Sequence, residues 1–209
     1  MVSFVDTLRT HRVLGIVRGS SAEAAEAAAL ALLEEGIGLI EVSLTTPDAV
    51  RVIGRLVAAA PADCLVGAGT VVTDAEAEAV AEVGAGFAVS PGLTSGIRRA
   101  VALGLPVAPG VYTPSEVYAA LELGAEAVKL FPASVGGPDY LKALRQPMPD
   151  VAFVPVGGVG LDEARAYLAA GAVAVGVGSP LVGDAASGGD LSALRRRAEE
   201  FARVARDFA

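Results

Sequence analysis

Eight short apolar runs, each followed by a segment rich in Ala, Glu and Leu, succeed one another along this chain. They are Val13–Arg18, Leu39–Leu44, Leu65–Val71, Phe87–Pro91, Pro106–Val111, Ala127–Pro132, Ala152–Gly158 and Ala174–Ser179. Runs of this length, apolar on both faces, read as buried parallel strands, and the segments between them as crossover helices. Local signals mark the helix starts. Ser20-Ser21-Ala22-Glu23 has the form of a capping box, Thr73 is a cap, and Thr46-Pro47-Asp48 places Pro at a first helical position. Several helices end on glycine and turn straight back into a strand, as at Gly36, Gly84, Gly124 and Gly171.

Eight strand–helix units predict an α/β fold, a single compact (β/α)8 barrel domain over residues 1–209 with an N-terminal helix from about Ser3 to Thr10. Barrels typically run to about 250 residues, so this one has short loops. An open doubly wound sheet uses the same alternation with fewer strands. A charged final helix is expected from Leu191 to Phe208, joined by a flexible Gly/Ser-containing stretch, Gly183 to Asp190.

The side chains suit such a packing. Hydrophobic residues make up 53% but aromatics only 5%, with no Trp, so Ala, Val and Leu build the core and let helices lie close on strands. A net charge of −8 argues against nucleic-acid or anionic-membrane partners. Charges interrupt every apolar run, which speaks against a membrane span, and the first residues lack a signal-peptide core; a cytoplasmic protein is expected. The one cysteine, Cys64, offers no disulfide, and no His/Cys/Asp cluster has metal-ligand spacing. No Gly-x-Gly-x-x-Gly follows the first run, so neither a metal nor a nucleotide cofactor is expected. His11 precedes the first strand and reads as a surface residue.

Ligands of such barrels bind at the C-terminal strand ends, which here carry Arg18, Thr45, Gly69-Thr70, Ser90, Gly110, Gly157-Gly158 and Gly178-Ser179. Two charges, Glu41 and Lys129, interrupt runs where Val or Ile would be ordinary. A buried ammonium must lose its proton or find a carboxylate, so the two could form a structural ion pair. The same residues facing one cavity meet the needs of imine chemistry, the lysine as nucleophile and the acid as proton carrier. Glycines after the seventh and eighth runs serve left-handed turns or let amides approach a phosphate; two pairs together favour phosphate. Arg18 ends an apolar strand, either solvated or clamping a carboxylate.

The stretches Ile40-Glu41-Val42, Gly67–Val71, Ser90-Pro91-Gly92, Pro109-Gly110-Val111, Val128–Pro132, Gly157-Gly158 and Val177-Gly178-Ser179 resemble a known family along the whole chain and in its order. That family is the class I 2-keto-3-deoxy-6-phosphogluconate (KDPG) and 4-hydroxy-2-oxoglutarate (KHG) aldolases. The resemblance implies a small barrel, usually a homotrimer, that cleaves 2-keto-4-hydroxy acids to pyruvate and, from the phosphorylated substrate, glyceraldehyde 3-phosphate. It implies Lys129 as the Schiff-base lysine and Glu41 as general acid/base. Arg18 and Thr70 become candidates for the substrate carboxylate, and Pro91, Phe131 and Val156 line the substrate. Gly157, Gly158, Gly178 and Ser179 would hold phosphate, with Ser134 as a further candidate.

Many gluconate-type members have Thr before the paired glycines, where this chain has Val156, and some carry Arg where it has Thr45. Val156 and the stretch Gly137–Leu144 look like the branch acting on the galactonate epimer, so the C4 epimer stays open at this point. Two rival readings share the barrel: another small phosphate-barrel enzyme, such as an epimerase or synthase, and a non-catalytic sugar-phosphate sensor in which Lys129 and Glu41 are a structural pair.

Overall fold

A computed structural model describes residues 3–208. All strand pairs are parallel. Strands β1 (Val13–Val17), β2 (Leu39–Ser43), β3 (Leu65–Gly69), β4 (Ala88–Val89), β5 (Val107–Ala108), β6 (Gly110–Val111), β7 (Val128–Leu130), β8 (Phe153–Pro155) and β9 (Val175–Val177) form two sheets. One has the order β5-β4-β3-β2-β1-β9, the other β6-β7-β8. Nine strands arise from eight runs because Pro109, which has no N–H, splits the fifth run into β5 and β6.

Both sheets meet at that split. Gly110 donates to the Ser90 carbonyl on the β4 side, and Lys129 donates to the Pro109 carbonyl on the β7 side, each at 3.0 Å. At the other edge Val173 donates to the Phe153 carbonyl, and Val156 bridges to Gly176.

Alternation along the strands sorts the core into two clusters. Leu14, Ile16, Leu39, Phe87, Val89, Ala108, Ala127, Ala152, Val154, Val156 and Ala174 pack together on the inner face. Their sequence neighbours, such as Val13, Val17, Ile40, Val42, Val128 and Val175, pack against the helices. The first helix, α1 (Phe4–His11), stacks Phe4 on Phe87 at 5.0 Å between ring centroids and adds Leu8 to the inner cluster. His11 lies here, 2.8 Å from the Asp63 carbonyl, far from the strand ends that carry the site.

Helices α2 (Ala22–Glu34), α3 (Ala49–Ala59), α4 (Asp74–Glu82), α5 (Ser95–Ala102), α6 (Pro114–Glu122), α7 (Ala133–Arg145), α8 (Leu161–Ala169), α9 (Ser179–Val182) and α10 (Leu191–Asp207) follow the strands. Thr73 caps α4 in a reciprocal box with Glu76 as expected, whereas Ser21 caps α2 through Ala24 without the reciprocal acid.

Two local expectations change. Pro47 does not open α3, which begins at Ala49 behind Asp48 in a left-handed conformation. The preceding turn is tied elsewhere: Thr46 donates its amide to Ser43 and accepts from the Gly19 amide through Oγ1. The stretch from Gly183 to Asp190 is packed rather than free. It contains a 3-10 turn, Ala185–Ser187, whose two alanines are buried, and Ser187 accepts from the Ser20 amide. No described helix is long and apolar enough to cross a membrane.

Candidate active site

A cavity of about 630 Å³ opens at the C-terminal strand ends. Arg18, Thr70, Pro91, Lys129, Phe131, Val156, Gly157, Gly158, Gly178 and Ser179 all line it. Glu41 stands directly behind this lining, with 1% of its surface exposed. Ser90 and Gly110, strand ends by the sequence, do not reach the cavity: Ser90 is buried and donates to the Gly92 carbonyl, and Gly110 packs on the Pro91 carbonyl.

The pleat explains why the two charges converge. Glu41 is two residues beyond Leu39 on β2 and Lys129 two beyond Ala127, and both of those residues belong to the inner cluster. Lys129 is 8% exposed, and its Nζ lies 5.2 Å from the Phe131 ring centroid, within cation–π reach. Glu41 Oε2 is buried without a hydrogen-bond partner. Burial pushes the Glu41 carboxyl above its ordinary range, opposed by the positive charges of Lys129 and Arg18. The described ion pairs join helix-surface residues, and none contains Glu41, Lys129 or Arg18. A carboxylate that feels both cations yet is locked to neither is free to take and return a proton.

The glycine wall is tightly fitted. Gly157 and Gly158 both have positive φ, at 98° and 73°. A Cβ at Gly158 would press on Ser134, whose own amide donates to the Gly157 carbonyl. Gly178 precedes α9, where Pro180 has no N–H and the Leu181 and Val182 amides both donate to the Gly178 carbonyl, so Ser179 supplies the one amide of that first turn without a partner in the helix. Backbone donors and a cation at the rim suit an oxyanion. Among the described residues no group of three or more His, Cys, Asp or Glu is placed to hold a metal ion.

Thr45, a strand-end residue by the sequence, also lines the cavity. Residues outside the sequence-based set complete the site, and the buried Ser43 hydroxyl joins Thr45 to Thr70. The period-two sequence Leu39, Glu41, Ser43 could have pointed to this inward-facing serine. Val182 and Gly183 extend the wall, and from α10 Arg197 donates to the Leu181 carbonyl at 2.7 Å and the Val182 carbonyl at 3.0 Å. No local sequence signal marks Arg197.

The family model for KDPG and KHG aldolase matches residues 5–196. A probable 2-dehydro-3-deoxy-6-phosphogalactonate aldolase of Rhizobium meliloti strain 1021 is 43% identical over 181 residues, which is 86% of this chain and 85% of the relative. Among solved structures, a native KDPGal structure superposes with a TM-score of 0.86 at 33% identity, covering 94% of this chain and 95% of the other. A Legionella pneumophila KDPG aldolase, with pyruvate captured as a covalent carbinolamine intermediate, superposes with a TM-score of 0.79 at 31% identity, covering 98% and 97%.

Proposed function

The chain belongs to the KDPG and KHG aldolase family, and from that premise we propose that this class I aldolase cleaves 2-keto-3-deoxy-6-phosphogalactonate, the galactonate epimer of the family's substrates, to pyruvate and glyceraldehyde 3-phosphate. One observation carries the assignment of chemistry to residues. Lys129 faces the cavity while the unpaired, buried carboxylate of Glu41 stands within its electrostatic reach.

The unprotonated amine of Lys129 adds to the C2 ketone, and loss of water leaves an iminium. Glu41, directly or through a water, takes the C4 hydroxyl proton. The C3–C4 bond breaks, the aldehyde leaves, and the iminium accepts the electron pair as an enamine. Glu41 returns its proton to C3, and hydrolysis of the pyruvate imine frees Lys129. General acid–base catalysis of this kind contributes about 10²–10⁴-fold. Arg18 and Thr70 hold the carboxylate, Pro91 and Phe131 flank the reacting carbons, and Gly157, Gly158, Gly178 and Ser179 receive the phosphate.

Val156 supports the galactonate epimer, because an apolar side chain on the β8 wall cannot bond a C4 hydroxyl directed toward it. Unphosphorylated 4-hydroxy-2-oxoglutarate is a slower substrate, lacking the group that the glycine wall holds. The same reading includes a closed (β/α)8 barrel in one domain, supported by the hydrogen bonds at Pro109 and between β8 and β9. It also includes the homotrimer that the family resemblance implies. A sensor with a structural Lys129–Glu41 pair accounts poorly for the absence of any such pair among the described ion pairs.

Borohydride reduction with pyruvate, followed by peptide mass mapping, tests the proposal. The chain has only two lysines, and Lys142 is an exposed residue paired with Asp139. An adduct on Lys129 is expected. No adduct, or one on Lys142 alone, would remove the imine mechanism.

A further inference from the structure

Ser43 is wholly buried at the end of β2, and its Oγ has two partners, Thr45 Oγ1 at 2.9 Å and Thr70 Oγ1 at 3.0 Å. Three hydroxyls joined by two hydrogen bonds use two of their three protons. If Ser43 accepted from both threonines, its own proton would be buried without an acceptor, the costly arrangement. Ser43 therefore donates to one threonine and accepts from the other. The threonine that receives its proton keeps its own, and both threonines line the cavity. One donor hydrogen thus remains at an end of the chain, on a threonine that lines the cavity, and each bond in the chain strengthens the next.

The backbone holds the Thr70 end of this chain in place. Thr70 has φ of 64°, a left-handed conformation that β-branched residues rarely adopt. Such strain persists only where the surroundings over-determine it, and the Ser43 bond is part of that surrounding. Arg18 lies on the same side: β1, which it follows, pairs directly with β2, whereas Val156 comes from β8, separated from β2 by β1 and β9. The cavity therefore has one wall with a guanidinium and an aimed hydroxyl, and another that is apolar at Val156.

We infer that Ser43 is a positioning residue for the substrate carboxylate, aiming the free hydroxyl of the Thr45–Ser43–Thr70 chain at the anion that Arg18 attracts. This rests on the 2-keto acid chemistry proposed above. A carboxylate is the fitting ligand because it accepts a hydrogen bond in one plane with the guanidinium contact and offers no competing donor.

The test uses pyruvate and its methyl ester as probes of borohydride trapping in the intact protein. Wild type should be half-saturated at much lower pyruvate than methyl pyruvate. Ser43→Ala should raise the half-saturating pyruvate concentration about tenfold, the effect of losing one hydrogen bond to a charged group. Its maximal trapping rate and its half-saturation by the ester should stay within about twofold, because the charge-assisted bond is the one that depends on the aim of the threonine hydroxyl. Ser43→Cys, which keeps the volume with a weakly bonding thiol, should show the same selective loss. Ser43→Thr, which keeps the hydroxyl, should restore pyruvate binding. Equal weakening of both probes, or none, overturns the role of Ser43 while leaving the imine reading intact. Failure of wild type to trap pyruvate on Lys129 overturns both.

Discussion

The Glu41 carboxylate occupies the space beside Gly69 that any larger residue there would fill. A Cβ built on Gly69 overlaps Oε1 and lies 2.7 Å from Cγ. Glycine at the end of β3 thus sets where the proposed acid/base sits on the neighbouring strand. Gly69→Ala should displace the carboxylate, and a misplacement near 1 Å can cost about a hundredfold in rate. The expected outcome is a loss of that order in kcat, with pyruvate still trapped on Lys129. Steady-state kinetics beside trapping decides it, and an alanine variant with ordinary kcat would show that Glu41 does not need this position. Overpacking adds a destabilisation of about 1–3 kcal/mol, visible as a lower Tm.

Glu41 also makes stability and activity depend on pH in opposite ways. Its carboxyl is raised above the ordinary value of 4.5, first by burial and against the pull of Lys129 and Arg18. A group raised on folding binds more protons in the native state, so its contribution is full below the unfolded value and is lost as pH rises through the folded one. Glu41→Gln removes that loss. The variant should melt higher than wild type at neutral pH, with the difference shrinking as pH falls toward 4.5, by no more than about 1.4 kcal/mol per pH unit, and closed below it. The proposed mechanism needs the ionised form, so the acid limb of wild-type kcat/KM should lie above 4.5 and vanish in the variant, along with most of the turnover. A variant with wild-type turnover would take Glu41 out of the mechanism.

The sequence made the repeating plan and the two central residues legible for physical reasons. A charge inside a buried strand stands out against Val and Ile, and Glu41 and Lys129 both did. The Gly157-Gly158 pair stood out because two adjacent left-handed residues have few other solutions. What depends on distant contacts did not show. The start of α3 is set by Thr46 meeting Gly19, and the Gly/Ser composition of residues 183–190 hides two buried alanines, of which Ala186 packs on Gly19. The Ser43 chain spans two strands, and Arg197 reaches the cavity wall from another helix.

Arg197 lends itself to a separate test, because its guanidinium satisfies the carbonyls of Leu181 and Val182 at the end of the segment that begins with Gly178 and Ser179. A Cβ at Gly183 would run into the same guanidinium, so the wall and the arginine are fitted to one another. Arg197→Met should loosen this wall. The expected result is a rise of roughly five- to tenfold in KM for the phosphorylated substrate, the scale of one or two lost hydrogen bonds. KM for 4-hydroxy-2-oxoglutarate, which has no phosphate to place, should be unchanged. Parallel kinetics on the two substrates separates this from general damage, which would raise both.

Val156 offers the sharpest test of substrate choice. It is 6% exposed, lines the cavity, and its Cγ2 fills the space left by Gly176 on the next strand. Threonine is nearly isosteric, so Val156→Thr changes the chemistry of that wall more than its shape. The added hydroxyl can bond a C4 hydroxyl directed toward β8, which in the proposed binding mode the galactonate epimer directs elsewhere. One such bond shifts the ratio of kcat/KM for the two epimers by roughly tenfold toward the gluconate form. Wild type should favour the galactonate epimer when both are assayed side by side. A wild-type preference for the gluconate epimer, or a ratio that threonine leaves untouched, would place the stereochemical determinant on another wall of the cavity.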